Sequence, residues 1–324
     1  MDVYFEPEYG KLNEQIEGGT AETFRFTCEY GAVESTYIKR AIPQLVRGER
    51  YFDAVTPYGY GGAHVVECSD RERLLGAYKE AYLEHCAQEK LVCEFVRFHP
   101  LAGNARDFGQ LYDVSFNRST VAIDLTDENY AAVQFSPECR NMIRKAQKKG
   151  VSVELDCACE HLDEFMALYY ATMDKNGASD YYYFKRPYFE SLARVPGTRL
   201  MLINARAEGR IIASAMFMVC KELMHYHLSS TDPAFYSYAA NNLILAEAAR
   251  YGRENGLLAL HLGGGLSPDE SDRLFRFKRS FGRTPGNLRE FYIGKGIFLP
   301  DVYDELCRSA GSGDGFFPAY RKAH

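Results

Sequence analysis

A chain of 324 residues exceeds the usual size of a single hydrophobic core, so two domains are expected. Its 46% hydrophobic and 25% charged residues describe a folded, water-soluble protein and exclude a disordered or fibrous chain. A formal net charge of −6 excludes a surface that is a nucleic-acid platform throughout, and any RNA contact has to be a local basic patch.

Nine cysteines, an odd number with no C-x-x-C pair, read as reduced thiols of a cytoplasmic protein rather than as a disulfide frame or a zinc site. The start, "MDVYFEPEYG", lacks a basic region followed by an apolar one, and the longest apolar run, "IIASAMFMVC", has ten residues. Neither a signal peptide nor a membrane span is expected. The 24 Tyr and 21 Phe, with no Trp, offer aromatic surface to pockets and cores alike.

In chain order, residues 22 to 66 alternate β-rich stretches with turn signals and predict a small sheet. "DRERLLGAYKEAYLEHCAQEK" has helical spacing at Leu74, Tyr78 and Tyr82, and "LVCEFVRFHP" after it reads as a buried strand closed by proline. A second helix-then-strand unit, "NNLILAEAARYGRENG" with "LLALHL", lies far downstream. Between them "SPECRNMIRKAQKKG" reads as a helix capped by Ser136, begun by Pro137 and stopped by Gly150. Its Arg140, Arg144, Lys145 and Lys148 are either a solvated face or a contact for RNA or other phosphates. The domain boundary is placed near Gly150. A first domain at 1–150, a second at 151–295 and a tail at 296–324 that returns to the first are expected. Within 151–295, a helix, a tyrosine-rich turn and another helix lead into strands, the first pair turning at "AEGR".

No phosphate-cradling G-x-x-x-x-G-K-[ST] loop, H-E-x-x-H helix, G-x-S-x-G elbow or G-x-G-x-x-G turn is present. His225 and His227 share one face of a predicted strand, but no third ligand stands at suggestive spacing, so no metal is expected. The informative stretch is "HLGGGLSPDESDRLFRFKRSFG". Ser267, Pro268 and Glu270 have the spacing of a capping box and predict a helix beginning just after Gly263, Gly264 and Gly265. Leu274, Phe277 and Phe281 make one apolar stripe, with Arg273, Arg276, Arg279 and Arg283 opposite. Lys278 falls inside the stripe, where it either snorkels to water or holds a charge in an enclosed site beside open glycine backbone. An enclosed ammonium suits the oxyanion of an acyl transfer.

With these residues on view, the sequence resembles the Fem-type (FemABX) peptidoglycan-bridge aminoacyltransferases among the GNAT-like acyltransferases. The likeness is carried by "YFDAVTPYGYGG", "RNMIRKAQKKGVSV", "EFMALYYATMDKNGASDYYYF" and "LHLGGGLSPDESDRLFRFKRSFG". It implies an α/β (α+β) fold of two GNAT-like domains, each a mixed, mostly antiparallel sheet flanked by helices, packed about a cleft. It implies transfer of an amino acid from aminoacyl-tRNA to an amine of a lipid- or nucleotide-linked muropeptide. The family's Phe-Lys pair falls on Phe277 and Lys278, the lysine meeting the oxyanion. Thr56-Pro57-Tyr58-Gly59 suits a type I turn, Tyr58 and Tyr60 supply walls, and Gly59, Gly61 and Gly62 would let a ligand lie against the main chain. Gly263, Gly264, Gly265, Tyr226 and His227 complete the expected substrate-binding set.

Two departures from the family pattern are plain. The helical arm of some Fem proteins is missing, and so is the [RQ]-x-x-G-x-[GA] loop of CoA-using enzymes. The donor is therefore left as aminoacyl-tRNA or acyl-CoA, with no tightly bound cofactor. The alternatives to the Fem reading are acyl-CoA-dependent N-acylation of an amino sugar and a non-catalytic binding module. A lipid-linked acceptor at the membrane surface is compatible with a cytoplasmic protein that has no span.

Overall fold

The computed structural model describes residues 2–310 and 315–321, and the chain divides into two compact units. One holds Tyr4–Asn117 and Glu290–His324, the other Met1–Val3 and Arg118–Arg289. The chain begins with two short helices, α1 (Pro7–Leu12) and α2 (Glu14–Glu17), then β1 (Thr20–Cys28), β2 (Gly31–Ala41), β3 (Phe52–Val55) and β4 (His64–Cys68). The helix α3 (Arg71–Gln88) follows, capped by Asp70, whose carboxylate accepts from the Arg73 amide at 3.2 Å. Its spacing buries Leu74, Tyr78, Tyr82 and Cys86 on one face, and β5 (Leu91–Arg97) returns parallel to β3.

The chain leaves this unit inside β6 (Asp113–Asp124). The other unit continues through α4 (Tyr130–Gln134), α5 (Pro137–Lys148), β7 (Ser152–Asp156), α6 (Leu162–Asn176), α7 (Arg186–Leu192), β8 (Thr198–Ala207), β9 (Arg210–Cys220) and β10 (Leu223–Thr231). It closes with α8 (Ala240–Glu254), β11 (Ala259–Gly263) and α9 (Arg273–Arg279). β12 (Leu288–Ile297) carries the chain back to the first unit, where α10 (Pro300–Ala310) ends the run of helices. In the 118–289 unit the strand order is β7-β8-β9-β10-β11-β6, antiparallel except for β10 beside β11. The β8–β9 hairpin turns at Glu208 and Gly209, both at positive φ, as a two-residue turn of matching twist requires.

The expected boundary near Gly150 is not where the units divide. Gly150, at φ +75°, is the stop of α5, and the chain runs on into β7 of the same unit. Helix α5 belongs there because Cys139 and Ala146 are buried in one core with Val121, Ile123, Leu243 and Ala249. Likewise the later crossing falls after Arg289, and residues 290–324 belong with Tyr4–Asn117. Both units return a helix-then-strand segment to a parallel neighbour, β5 beside β3 and β11 beside β10.

Candidate active site

Helix α9 starts later than its sequence suggests. Ser267 and Asp269 spend their side chains on local turns, accepting from the amides of Asp269 at 3.3 Å and Ser271 at 2.7 Å. The cap is Asp272, whose Oδ1 accepts from the Phe275 amide at 2.8 Å. With this start, Phe275, Lys278 and Phe281 are buried, while Leu274 and Phe277 are half-buried. Phe277 packs edge-to-face on Phe281 at 5.6 Å, and Arg273, Arg276 and Arg283 are exposed.

Lys278 does not snorkel. It is 9% exposed, and its Nζ donates to the Gly264 carbonyl at 2.8 Å and lies 5.9 Å from the Tyr226 ring centroid. Burial pushes its pKa down from 10.5 to about 8; Asp272 opposes the shift and Arg118 adds to it. The ammonium is therefore the main form at neutral pH, held where its charge is poorly solvated.

The glycine run is shaped by the protein's own atoms. Gly263 ends β11 at φ +75°. A Cβ on Gly264 would meet Arg118 Cδ and the Ser119 carbonyl at 3.1 Å, and one on Gly265 would strike the Asp272 carboxylate and lie 2.9 Å from Phe275 Cβ. The missing side chains at 264 and 265 thus make room for Arg118 and for the cap of α9.

The strands β10 and β11 pair only from Leu223 to His225 and from Ala259 to His261. Beyond that point β10 continues on β9 alone, with an extra residue at His227, and β11 turns into the glycine run after a shift in its register with β6. Tyr226 is the first residue past the parting, and burial pushes its hydroxyl up to about 12. His225 and His227 hold different partners. His225 Nε2 lies 2.7 Å from Asp2 Oδ2, its ring edge-on to His261 at 5.6 Å, and His261 Nε2 reaches Thr120 Oγ1 at 2.9 Å. His227 Nε2 lies 2.8 Å from the Tyr188 hydroxyl, and burial with the nearby His225 lowers its pKa to about 3, so it is neutral at working pH.

In the other unit, "TPYGYGG" is a clamped loop. Residues 58–60 bend without closing a hydrogen-bonded turn. Carbonyls take that role: Tyr9 donates to Tyr58 O at 2.8 Å, the Arg97 guanidinium to Pro57 O at 3.2 Å and to Thr56 O, and Asn104 Nδ2 to Gly61 O and Ala63 O at 2.9 and 2.8 Å. Gly59 and Gly62 sit at φ +95° and +80°, and a Cβ would meet Tyr4 or Val96 at 2.6 Å. Gly61 is buried, with Thr56 Cγ2 where a Cβ would point. The Tyr60 ring stands edge-to-face with Tyr4 at 5.4 Å and Phe291 at 5.2 Å, and Tyr58 is half-buried.

On α5, Arg140 is half-buried and donates to the Phe135 carbonyl and to Ala132 O at 3.2 Å, whereas Arg144, Lys145 and Lys148 are exposed. The structure thus brings together Lys278, Gly263–Gly265 and Tyr226, and leaves His227 with Tyr188. Sequence reasoning missed Arg118, Asp272, Asp2, Tyr188, Arg97 and Asn104. Only Asp272, three residues before Phe275, carried a local signal.

Residues 135–279 match the family model described as acetyltransferase (GNAT) domain, a span that contains Phe277 and Lys278. None of the curated proteins matches the sequence. Among solved structures the chain is similar to FemX, at 14% identity over 94% of each chain with a TM-score of 0.68. It is similar also to the C-terminal domain of a putative lysylphosphatidylglycerol synthetase from Agrobacterium fabrum, at 12% identity over 94% of each chain and a TM-score of 0.57. L-PGS from Bacillus licheniformis is 12% identical over 95% of this chain and 98% of its own, with a TM-score of 0.53. Among the described residues no helix is long and apolar enough to cross a membrane. Residues 135–279 are thus similar to a GNAT acetyltransferase domain, and over nearly its full length the chain shares the fold of FemX.

Proposed function

We propose that the protein transfers an aminoacyl group from the ester of a charged tRNA to an amine of a muropeptide cell-wall precursor, with Lys278 as the catalytic cation. The observation that carries this reading is the Lys278 ammonium, buried yet fixed on a single carbonyl within the GNAT-matched span. One of its three N–H groups serves Gly264, which leaves donor directions for a second oxygen. The neutral acceptor amine attacks the ester carbonyl, the C–N bond forms, and the carbonyl electron pair moves onto oxygen. Lys278 stabilises that oxyanion, an effect of about 3 kcal/mol per well-placed donor. Collapse restores the carbonyl and breaks the C–O bond to the tRNA ribose. The proton lost by the amine ends on the departing hydroxyl.

A tRNA donor is supported by the exposed Arg144, Lys145 and Lys148 of α5, a basic strip on a chain of net charge −6. A muropeptide acceptor is supported by the resemblance to Fem-type proteins and by the likeness to FemX.

The test incubates the purified protein with a pool of radiolabelled aminoacyl-tRNAs and a UDP-linked muramoyl pentapeptide, and reads label in the peptide by mass spectrometry. Parallel reactions offer acetyl-CoA with an amino sugar, and charged tRNA with phosphatidylglycerol vesicles. Label on the muropeptide from tRNA alone is expected. Acetylated sugar, or label in the lipid with none in the peptide, would overturn the reading.

A further inference from the structure

We infer that Arg118 is a positioning residue for Lys278, the two side chains gripping successive carbonyls of the glycine run and so fixing where the ammonium stands. This deepens the function proposed above and rests on it for its catalytic meaning. Lys278 Nζ donates to Gly264 O at 2.8 Å and Arg118 Nη1 to Gly265 O at 2.7 Å. The Arg118 stem also lies along Gly264, where an added Cβ would stand 3.1 Å from Cδ and 3.5 Å from Cγ. Adjacent peptide planes are thereby held from two elements, β6 through Arg118 and α9 through Lys278. Neither plane can rotate without breaking a charge-assisted hydrogen bond.

The same placement has an electrostatic consequence. The groups facing the Lys278 amine are Arg118 from β6, Asp272 from the start of α9 and the Tyr226 ring from β10. Tyr226, with its hydroxyl pushed up to about 12, stays neutral near neutral pH, so the balance lies between Asp272, which holds the proton on, and Arg118, which helps release it. Burial makes Lys278 more acidic than an ordinary lysine and Arg118 adds to that shift, while its bond to Gly265 O ties down the peptide next to the Lys278 acceptor.

The experiment measures the acetylation of Lys278 by acetic anhydride as a function of pH, read on its peptide by mass spectrometry. It uses the full chain as native protein, Arg118→Gln and Arg118→Lys. The midpoint for Lys278 should move up by about half a pH unit or more in Arg118→Gln. Arg118→Lys should restore most of the shift, because the charge returns without the planar fork. In transfer assays the alkaline limb of the rate should move upward with that midpoint in Arg118→Gln, and kcat should fall about threefold to tenfold with KM little changed. An unmoved Lys278 midpoint in folded Arg118→Gln overturns the link, and so does lost transfer with an alkaline limb where the native protein has it. If the midpoint moves but Lys278→Met transfers as well as the native protein, the link between the two residues stands and the catalytic reading of Lys278 fails. Should Arg118→Gln not fold, Arg118→Met, which removes the charge but keeps a stem along Gly264, takes its place, and an unmoved Lys278 midpoint in it overturns the link.

Discussion

At Lys278 the protein keeps an ammonium only 9% exposed, and stability has to reflect it. The unfolded chain holds that proton up to about pH 10.5, the native protein only up to about pH 8. Between these values the unfolded state binds more protons, so this lysine's contribution rises with pH across the window. Below pH 8 the full cost applies, on the order of 3 kcal/mol before the bond to Gly264 is credited. Lys278→Met should therefore gain about 1–2 kcal/mol at pH 7, with the gain fading as pH rises from about 8 toward 10.5. Urea melts of both proteins at pH 7 and pH 10 check this. A variant less stable than native at pH 7 would show that the amine is a net stabiliser and not a functional group held at a cost.

Among elements, α9 shows where sequence reading succeeds and where it stops. The order strand, glycines, helix was legible, and so was a lysine set among apolar residues. The start was not, because Ser267, Pro268, Asp269 and Asp272 offer overlapping cap and turn chemistry, and the choice is made by Asp272 settling against Gly265. Asp272→Ala should cost about 1 kcal/mol in urea unfolding, whereas Ser267→Ala should stay within about 0.5 kcal/mol of native. Equal costs would return the cap to Ser267. The glycines at 264 and 265 also read as open backbone from sequence, since the Arg118 side chain that fills the space lies 146 positions away in the chain from Gly264. In α5 the cap at Ser136 and the stop at Gly150 were plain, as was the basic composition, yet Arg140 is committed to the Phe135 and Ala132 carbonyls. The face left for phosphates is Arg144, Lys145 and Lys148. Changing Arg144 and Lys148 to Glu should weaken binding of charged tRNA about tenfold or more and flatten its salt dependence, with unfolding unchanged. Filter binding across a salt series measures it, and salt-independent binding in the native protein would contradict a tRNA contact.

For the whole molecule, two cores and a duplicated helix-then-strand order were legible, but the boundary was not. A helix stop and a domain boundary share the same glycine signal, and only the burial of Cys139 and Ala146 assigns α5 to the later unit. A fragment of residues 118–289 should therefore melt cooperatively. One of residues 151–295 should not, for it lacks the buried Val121, Ile123, Leu125, Phe135, Cys139 and Ala146. Circular dichroism melts of the two fragments separate these outcomes, and a cooperative transition in the shorter one would put the boundary back near Gly150. The central claim concerns chemistry, and its most direct measurement is the single-turnover rate of transfer from saturating aminoacyl-tRNA to the UDP-linked muramoyl pentapeptide in Lys278→Met. A loss on the order of a hundredfold with substrate binding intact is the expected result for one missing oxyanion donor, and a rate equal to that of the native protein would contradict the account.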